Sequence, residues 1–118
     1  MEFSIIIPAY QSAVVLQLCV ESIIHTVHYL SEVIIVDDNS PKETQNYLKQ
    51  LPHYDSKLIS FTVIHNTKSI GSVKAINKGL EKATGQFIVF LDSDVILADG
   101  WQEQMKKSLL PPDIGAVG

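Results

Sequence analysis

Short apolar runs alternate along the chain with longer segments in which apolar residues recur every three or four positions. Four of these runs have the length of a β-strand, at residues 3–7, 33–36, 59–64 and 87–91. Such runs, alternating with amphipathic helices, are typical of a parallel sheet covered by helices on both sides. The pattern therefore predicts an α/β fold with alternating strands and helices and a mainly parallel sheet.

The first two predicted helices lie on either side of the second strand. The first has a buried stripe at i, i+3, i+4, i+7, i+8 and i+11 between Leu16 and Val27. The second begins with Ser40 as its cap, and Glu43 closes a capping box around Pro41 in the first helical position. Its inward face is predicted to comprise Thr44, Tyr47, Leu48 and Leu51.

Two further helices are predicted before and after the fourth strand. Gly85 is placed to cap the C-terminus of the first of them, and Pro111 stops the second. Residues 114–117 are expected to begin a fifth strand. The predicted inward positions are Val73, Ile76, Leu80 and Ala83 in the first, and Trp101, Met105 and Leu109 in the second.

Length and composition narrow the class of protein. With 118 residues, the chain has the size of one domain, so residues 1–118 are expected to share a single core. A net charge of -4 argues against general nucleic-acid binding, which needs a basic surface. The single cysteine, Cys19, excludes an internal disulfide. Without a signal-peptide pattern or an apolar run of about 20 residues, a cytoplasmic location is expected.

Three predicted strands end in polar or aromatic residues. The first is followed by Pro8, Ala9 and Tyr10, the second by Asp37-Asp38-Asn39 and the fourth by Asp92-Ser93-Asp94. Ligands of parallel sheets bind beyond the carboxyl ends of the strands, which all lie at one edge. We therefore expect these three segments to surround one ligand site.

Asp92 and Asp94 form the sharpest chemical signal. Residues two apart at the end of a strand project to the same side, so both carboxylates can face one point. Mg²⁺ and Mn²⁺ take oxygen ligands and commonly share them with substrate phosphates. The pair is therefore a candidate site for a divalent cation that neutralises a diphosphate. The structural alternative is a solvated loop, in which aspartates are common.

Each of the other candidate residues could bind a ligand or could have an ordinary structural role. Asp38 could accept hydrogen bonds from a base or a ribose, or it could belong to the turn before the second helix. Tyr10 could stack on a base or pack over the first helix. Lys74 lies one turn after Gly71 and could reach a phosphate, although lysines are common on helix surfaces. His65 is isolated in the sequence and is assigned no function.

Taken together, these segments resemble the family 2 glycosyltransferases of the GT-A fold. The order and spacing of the matching pieces agree along nearly the whole chain, which makes the set far more specific than any one motif. The pieces are residues 4–10 (SIIIPAY), 32–40 (EVIIVDDNS), Asn66 with Gly71, 75–80 (AINKGL), 83–85 (ATG) and 90–94 (FLDSD).

The resemblance implies both an activity and a set of site residues. Such enzymes transfer a sugar from a nucleoside-diphosphate sugar to a glycan or lipid-linked acceptor, generally inverting the anomeric centre. It implies a cofactor, Mg²⁺ or Mn²⁺, bound by the "DxD" element, with Asp94 as main ligand and Asp92 as second. It is compatible with peripheral association with the cytoplasmic membrane face and with a homo-oligomer. The implied nucleotide-sugar-binding residues are Pro8, Ala9, Tyr10, Asp38, Asp92, Ser93 and Asp94, beside which Lys74 is a candidate phosphate contact.

The chain departs from the family pattern in three ways. Gln11 stands where the family often has asparagine, and Ile76 stands where many members have arginine. A phosphate contact from position 76 is therefore missing, and whether Lys74 compensates for it is left open by the sequence. The catalytic base and the acceptor site of the family are expected beyond residue 118. We therefore expect this chain to be the donor-binding part of a longer GT-A domain.

Two other functions fit parts of the sequence. Residues 90–95 are similar to the nucleophile strand of haloacid-dehalogenase-type phosphatases, in which Asp92 would attack phosphorus. That chemistry needs a lysine and further acids downstream, and only 24 residues follow Asp94. The chain could also be a non-catalytic module that binds a nucleotide-sugar or serves as a scaffold.

Overall fold

The computed structural model describes residues 1–10 and 12–109, without the side chain of Leu109. Within these residues, four strands form one parallel sheet in the order β3-β2-β1-β4. This confirms the predicted α/β fold. The elements are β1 (Phe3–Ala9), α1 (Ala13–Thr26), β2 (Ser31–Asp38), α2 (Lys42–Leu48), β3 (Ile59–Asn66), α3 (Ser72–Lys82), β4 (Phe87–Phe90) and α4 (Trp101–Leu109), and a 3-10 turn follows α2 at Leu51–His53.

Helices cover the sheet on both faces, because strand residues alternate between them. On one face, Ile5 and Ile35 join the main core, which includes the stripe of α1 and Leu48 of α2. On the other face, Gly79 of α3 lies against the side chains of Ile6, Ile34 and Val36. The predicted stripe of α1 and the predicted inward residues of α2 are confirmed: all are buried except Ile24 and Tyr47, which are partly buried and pack on the core.

β1, β2 and β3 run further than the apolar pattern predicted, whereas β4 ends one residue earlier than predicted, at Phe90. β1 includes Pro8, which the sequence suggested would stop it. The carbonyls of Glu2 and Ile6 accept hydrogen bonds from the β4 side, so by alternation the nitrogen of Pro8 also faces that side. β4 pairs with β1 only as far as Ile6, so Pro8 costs no ladder hydrogen bond.

The inward face of α3 differs from the prediction. Val73 and Leu80 are 72% and 43% exposed, whereas Ala75 and Gly79 are buried. A Cβ atom at Gly79 would lie 2.5 Å from Cγ2 of Ile6. Small residues form the buried face because α3 packs very close to the sheet.

Two predicted helix caps are wrong. α2 begins at Lys42 with Pro41 as its N-cap and no side-chain cap, because the hydroxyl of Ser40 instead donates to the carboxylate of Asp37. α3 ends with Ala83 as its C-cap. Gly85 is needed for a different reason, since a Cβ there would lie 2.6 Å from the backbone nitrogen of Ser4.

The last helix is confirmed where it is described. Trp101 and Met105 of α4 are partly buried against the main core. The side chain of Leu109, Pro111 and the expected strand at 114–117 lie outside the described residues, as does Gln11. No helix in the part of the chain that the structure describes is long and apolar enough to cross a bilayer.

Candidate functional site

The strand order creates a crevice between β1 and β4. From β1 the chain adds β2 and then β3 on one side, and it returns to place β4 on the other side of β1. Helices after β1 and before β4 consequently lie on opposite faces of the sheet. Ligands of open α/β sheets bind at such a switch point, beyond the carboxyl ends of the strands. Tyr10 follows β1 at this crevice, and Asp92 follows β4.

Asp92, Ser93 and Asp94 form a tight turn, which we call the acidic turn. The amide of Val95 donates to the carbonyl of Asp92 at 3.2 Å, which closes the turn around Ser93 and Asp94. Both aspartate side chains are exposed. Ser93 is only 2% exposed, and its Oγ has no hydrogen-bond partner among the described residues. Two exposed carboxylates and a buried hydroxyl, without a partner in the described part of the chain, thus lie side by side.

The back of this turn contacts α1. The Sγ of Cys19 lies 3.8 Å from the carbonyl oxygen of Asp92 and donates a weak hydrogen bond to it. Burial, together with the negative charge of Asp94, raises the pKa of the Cys19 thiol to about 11. The thiol therefore stays protonated near neutral pH, as the donor of this contact requires.

Asp38 has a structural task that the sequence did not reveal. Its carboxylate accepts hydrogen bonds from the amides of Ile70 (2.7 Å) and Gly71 (3.0 Å), from Ser69 Oγ (3.0 Å) and from Asn66 Nδ2 (3.3 Å). Burial by itself raises the pKa of Asp38, but these bonds outweigh it and hold the pKa below its ordinary value. The side chain is 4% exposed, so in this conformation Asp38 anchors the loop between β3 and α3.

Asp37 and His65 form a pair that the sequence analysis missed. The Nδ1 of His65 lies 2.8 Å from Oδ2 of Asp37, whose Oδ1 accepts hydrogen bonds from the amide and hydroxyl of Ser40. The two residues are partners in the register of β2 and β3. Strand pairing was the available signal, because His65 directly follows the run predicted as β3.

The remaining predicted residues differ in accessibility. Pro8 and Ala9 are buried inside β1, whereas Tyr10 is 52% exposed at its end. Lys74 is exposed in the first turn of α3 and makes no side-chain hydrogen bond or ion pair with any described residue. The neighbouring Lys78, one turn later, instead donates to Oδ1 of Asn66 at 2.6 Å.

Two cavities lie at the tips of β2 and β3. The larger measures about 350 Å³ and the smaller about 220 Å³. His65, Asn66 and Thr67 line both. Neither cavity is lined by Asp92 or Asp94. Both lie toward the margin of the sheet that β3 forms, on the side of β2 away from β1 and β4.

The described side chains offer few candidate ligands for a metal ion. Among residues 1–10 and 12–109, no three His, Cys, Asp or Glu side chains are clustered so that they could hold a metal ion. Within these residues, a cation at this turn would therefore have two carboxylate ligands, Asp92 and Asp94. This suits a cation that shares its remaining positions with water and phosphate oxygens.

Solved structures with ligands resemble this fold. TarS 1-349 of S. aureus in complex with UDP-GlcNAc has a TM-score of 0.69 and 28% identity, over 80% of this chain and 27% of that chain. The mannosyltransferase PcManGT of Pyrobaculum calidifontis, in complex with GDP-Man and Mn²⁺, has a TM-score of 0.87 and 25% identity, over 97% and 34%.

Sequence comparisons also find glycosyltransferases. The GalNAc(5)-diNAcBac-PP-undecaprenol beta-1,3-glucosyltransferase of Campylobacter jejuni is 32% identical over 84% of this chain and 31% of its own length. The chain spans 40% or less of the length of such curated relatives. The model of glycosyl transferase family 2 matches residues 4–118, which also argues against the phosphatase alternative. The chain therefore belongs to glycosyl transferase family 2.

Proposed function

We propose that this chain forms the donor-binding part of a glycosyltransferase that uses a nucleoside-diphosphate sugar and a divalent cation. The observation that carries the proposal is the turn at the end of β4, where Asp92 and Asp94 are exposed beside the crevice between β1 and β4. Two free carboxylates at a switch point suit a metal-bound diphosphate better than they suit a structural turn.

The similar structures support the class of donor. One neighbour contains UDP-GlcNAc, and another contains GDP-Man with Mn²⁺. Because these ligands carry different bases and sugars, they support a nucleoside diphosphate as the shared element. We propose the diphosphate as the group that residues 92–94 recognise.

The carboxylates of the acidic turn are suitable ligands for a divalent cation. Asp94 and Asp92 would hold Mg²⁺ or Mn²⁺, and the bound cation would neutralise charge on the departing diphosphate. The buried hydroxyl of Ser93, unpaired among the described residues, is available to a ligand or an ordered water. Tyr10 is accessible at the opposite wall of the crevice, where its ring could stack on the base.

The roles of the other candidates follow from their accessibility. Pro8 and Ala9, being buried, are proposed to shape the wall of the pocket through their backbone. Asp38 is proposed to act on the nucleotide through the loop that it anchors. Lys74 is unpaired within the described part of the chain and so remains our candidate for a phosphate contact.

The remaining parts of the reaction are proposed from the family. An inverting transfer needs a base that takes the proton of the acceptor hydroxyl, and we assign that base to residues beyond 118. A lipid-linked acceptor, reached at the cytoplasmic face of a membrane, is supported by the undecaprenol-linked substrate in the name of one relative. We propose residues 1–118 as the amino-terminal part of the donor domain.

Calorimetric titration with UDP, GDP and dTDP, with and without Mn²⁺, tests the proposal. We expect one nucleotide to bind in the presence of Mn²⁺, and Asp94→Ala to weaken this binding about 100-fold because it removes the main metal ligand. Asp99→Ala is the matched control, since Asp99 is another exposed acid in the same connection between β4 and α4. Its nucleotide affinity should not change.

Two results would count against the proposal. Nucleotide binding that is indifferent to Mn²⁺ and to Asp94→Ala would move the site away from the acidic turn. No binding of any of the three nucleotides would favour the non-catalytic scaffold instead.

A further inference from the structure

A row of small polar side chains on α1 holds the segment that contains the acidic turn. Cys19, Ser22 and Thr26 share one side of the helix and are buried. Each makes a hydrogen bond to the connection between β4 and α4 or to the start of α4. The partners are the carbonyl of Asp92, the amide of Leu97 at 3.0 Å and Nε1 of Trp101 at 2.8 Å, respectively.

Ser22 makes the stronger of the two bonds that flank Asp94. Its hydroxyl donates to the carbonyl of Cys19 at 2.7 Å and accepts from the amide of Leu97, so both of its functions are used. On the other flank, the bond from Cys19 to Asp92 is a weak thiol contact of 3.8 Å. The path of the six residues from Asp92 to Leu97 is thus bonded to α1 more strongly at its far end.

Few other contacts among the described residues hold this path. Residues 91–100 contain neither helix nor strand. The amide of Leu91 donates to the carbonyl of Ile6 in β1 at 2.9 Å, and the apolar side chains that pack on the core are Leu91, Val95 and Leu97. If the amide of Leu97 lost its partner, the remaining hydrogen bonds to β1 and α1 among the described residues of this path would lie at Leu91 and Asp92, so residues 93–97 could shift relative to β1. The separation between the carboxylates and Tyr10 would then no longer be fixed.

We propose that Ser22 is a positioning residue for the donor metal site. Its hydroxyl sets the course of residues 92–97 and so determines where the carboxylates of Asp92 and Asp94 stand. This inference rests on the proposed function, since it concerns the same site. Ser22 contacts neither metal nor nucleotide and acts only through the backbone of Leu97.

The chain offers a matched control for the test. Thr26 lies on the same side of α1, donates to the carbonyl of Ser22 at 2.6 Å and accepts from Trp101, but it contacts nothing next to the acidic turn. Ser22→Ala and Thr26→Val each remove one hydroxyl with similar partners. Both variants should lower the Tm by a similar amount, about 5 °C.

Mn²⁺ affinity distinguishes the two variants. It is measured by the electron paramagnetic resonance of free Mn²⁺ during titration, at a saturating concentration of whichever of UDP, GDP or dTDP binds the unsubstituted protein best. Loss of a group that orients metal ligands typically weakens metal affinity about 10-fold or more, so we expect about 10-fold for Ser22→Ala. For Thr26→Val we expect a change of less than about twofold.

Each outcome decides the role of Ser22. If Ser22→Ala binds Mn²⁺ like the unsubstituted protein, or if both variants weaken binding equally, the hydroxyl only stabilises the fold and the inference is wrong. If the unsubstituted protein binds no Mn²⁺ with any of the nucleotides, the proposed function itself fails, and the role of Ser22 fails with it.

Discussion

Polar groups are hydrogen-bonded at the edge of the sheet where the strands begin (the amino edge), whereas several are unpaired within the described residues at the edge where the strands end (the carboxyl edge). At the amino edge, the Glu32 carboxylate accepts hydrogen bonds from Ser4 Oγ (2.5 Å) and from the amide and hydroxyl of Thr84 (both 2.7 Å). Ser4 Oγ in turn accepts from the amide of Gly85. At the carboxyl edge, Asp92 and Asp94 are exposed and Ser93 has a buried hydroxyl without a partner among the described residues.

This difference indicates which edge stabilises the fold and which edge can bind a ligand. Paired polar groups hold the turn between α3 and β4 against β1 and β2, and they have little left to offer another molecule. Unpaired groups contribute little stability but can exchange water for ligand oxygens. Asp37 and Asp38 are exceptions, because they lie at the carboxyl edge and their carboxylates are engaged, Asp37 with Ser40 and His65 and Asp38 with a loop.

The largest effect is expected at the amino edge from Gly85→Ala. The new Cβ would lie 2.6 Å from the nitrogen of Ser4 and 2.7 Å from the carbonyl carbon of Phe3, which are backbone atoms and cannot move aside. We expect a loss of about 3 kcal/mol in the free energy of unfolding, measured by urea denaturation. The control is Gln86→Ala, at the exposed neighbouring residue, which should change the free energy of unfolding by less than about 0.5 kcal/mol. Equal stability of the two variants would contradict the close approach.

Asp38→Asn tests one of these exceptions at the carboxyl edge. An amide has one accepting oxygen in place of two, so the bonds from Ile70 and Gly71 cannot both remain as they are. We expect a loss of about 2 kcal/mol and faster hydrogen exchange at the amides of Ile70 and Gly71. Asp99→Asn, at an exposed acid, should leave both measurements unchanged. Unchanged exchange in the Asp38 variant would mean that the loop does not depend on this carboxylate.

A pair of serines gives the most direct comparison of the edges. Ser4→Ala leaves the Gly85 amide without its partner and removes a donor to Glu32, so we expect a loss of about 1.5 kcal/mol. Ser93→Ala removes a buried hydroxyl that is unpaired within the described residues, so stability should stay the same or rise by up to about 1 kcal/mol. Chemical denaturation of both variants checks the prediction. A larger loss from Ser93→Ala would show that its hydroxyl is satisfied in solution.

The smallest effect is expected from pH. Burial alone raises the pKa of Glu32, but the bonds from Ser4 and Thr84 outweigh it and lower the pKa below its ordinary value of 4.5. A carboxyl group with a lowered folded pKa stabilises fully above its unfolded pKa, and this stability is lost as the pH falls through the folded value. The free energy of unfolding should therefore begin to fall below about pH 4.5, by under about 1 kcal/mol for Glu32, which is partly open to solvent.

Glu32→Gln provides the control for this pH dependence. The variant should lose stability at neutral pH, and its curve should be flatter than that of the unsubstituted protein between about pH 5 and pH 3. Parallel curves of unfolding free energy against pH would mean that the ionised form of Glu32 does not stabilise the fold. The residual slope would then belong to other carboxylates, among them Asp38, whose pKa is also lowered.

The sequence predicted the sheet and α1 because both depend on local periodicity. It predicted α3 less well, since the buried positions of a helix so close to the sheet are Ala75 and Gly79, and only large apolar residues give a clear pattern. Ser40 was assigned as a cap because the competing acceptor, the Asp37 carboxylate, becomes available only when the strand extends to that residue.

The candidate site was predicted in part. The exposed pair Asp92 and Asp94 follows from the end of a strand, a feature that the sequence shows directly. The bonds of Asp38 join residues 28 or more positions apart, and the contact of Ser22 with Leu97 spans 75 positions. No local pattern encodes such pairs, because they depend on the strand order and on the face that each helix covers.

The anchoring of the loop after β3 has a consequence for how specificity can change. Two of the bonds to Asp38 come from the backbone amides of Ile70 and Gly71, so this anchor does not draw on the side chains of the residues before them, although position 71 itself favours glycine because its φ is 86°. The path of the loop therefore does not depend on the side chains at Thr67 and Lys68. Substitutions at those two positions can vary what the loop presents to a ligand of the proposed nucleotide site while its backbone keeps the same course.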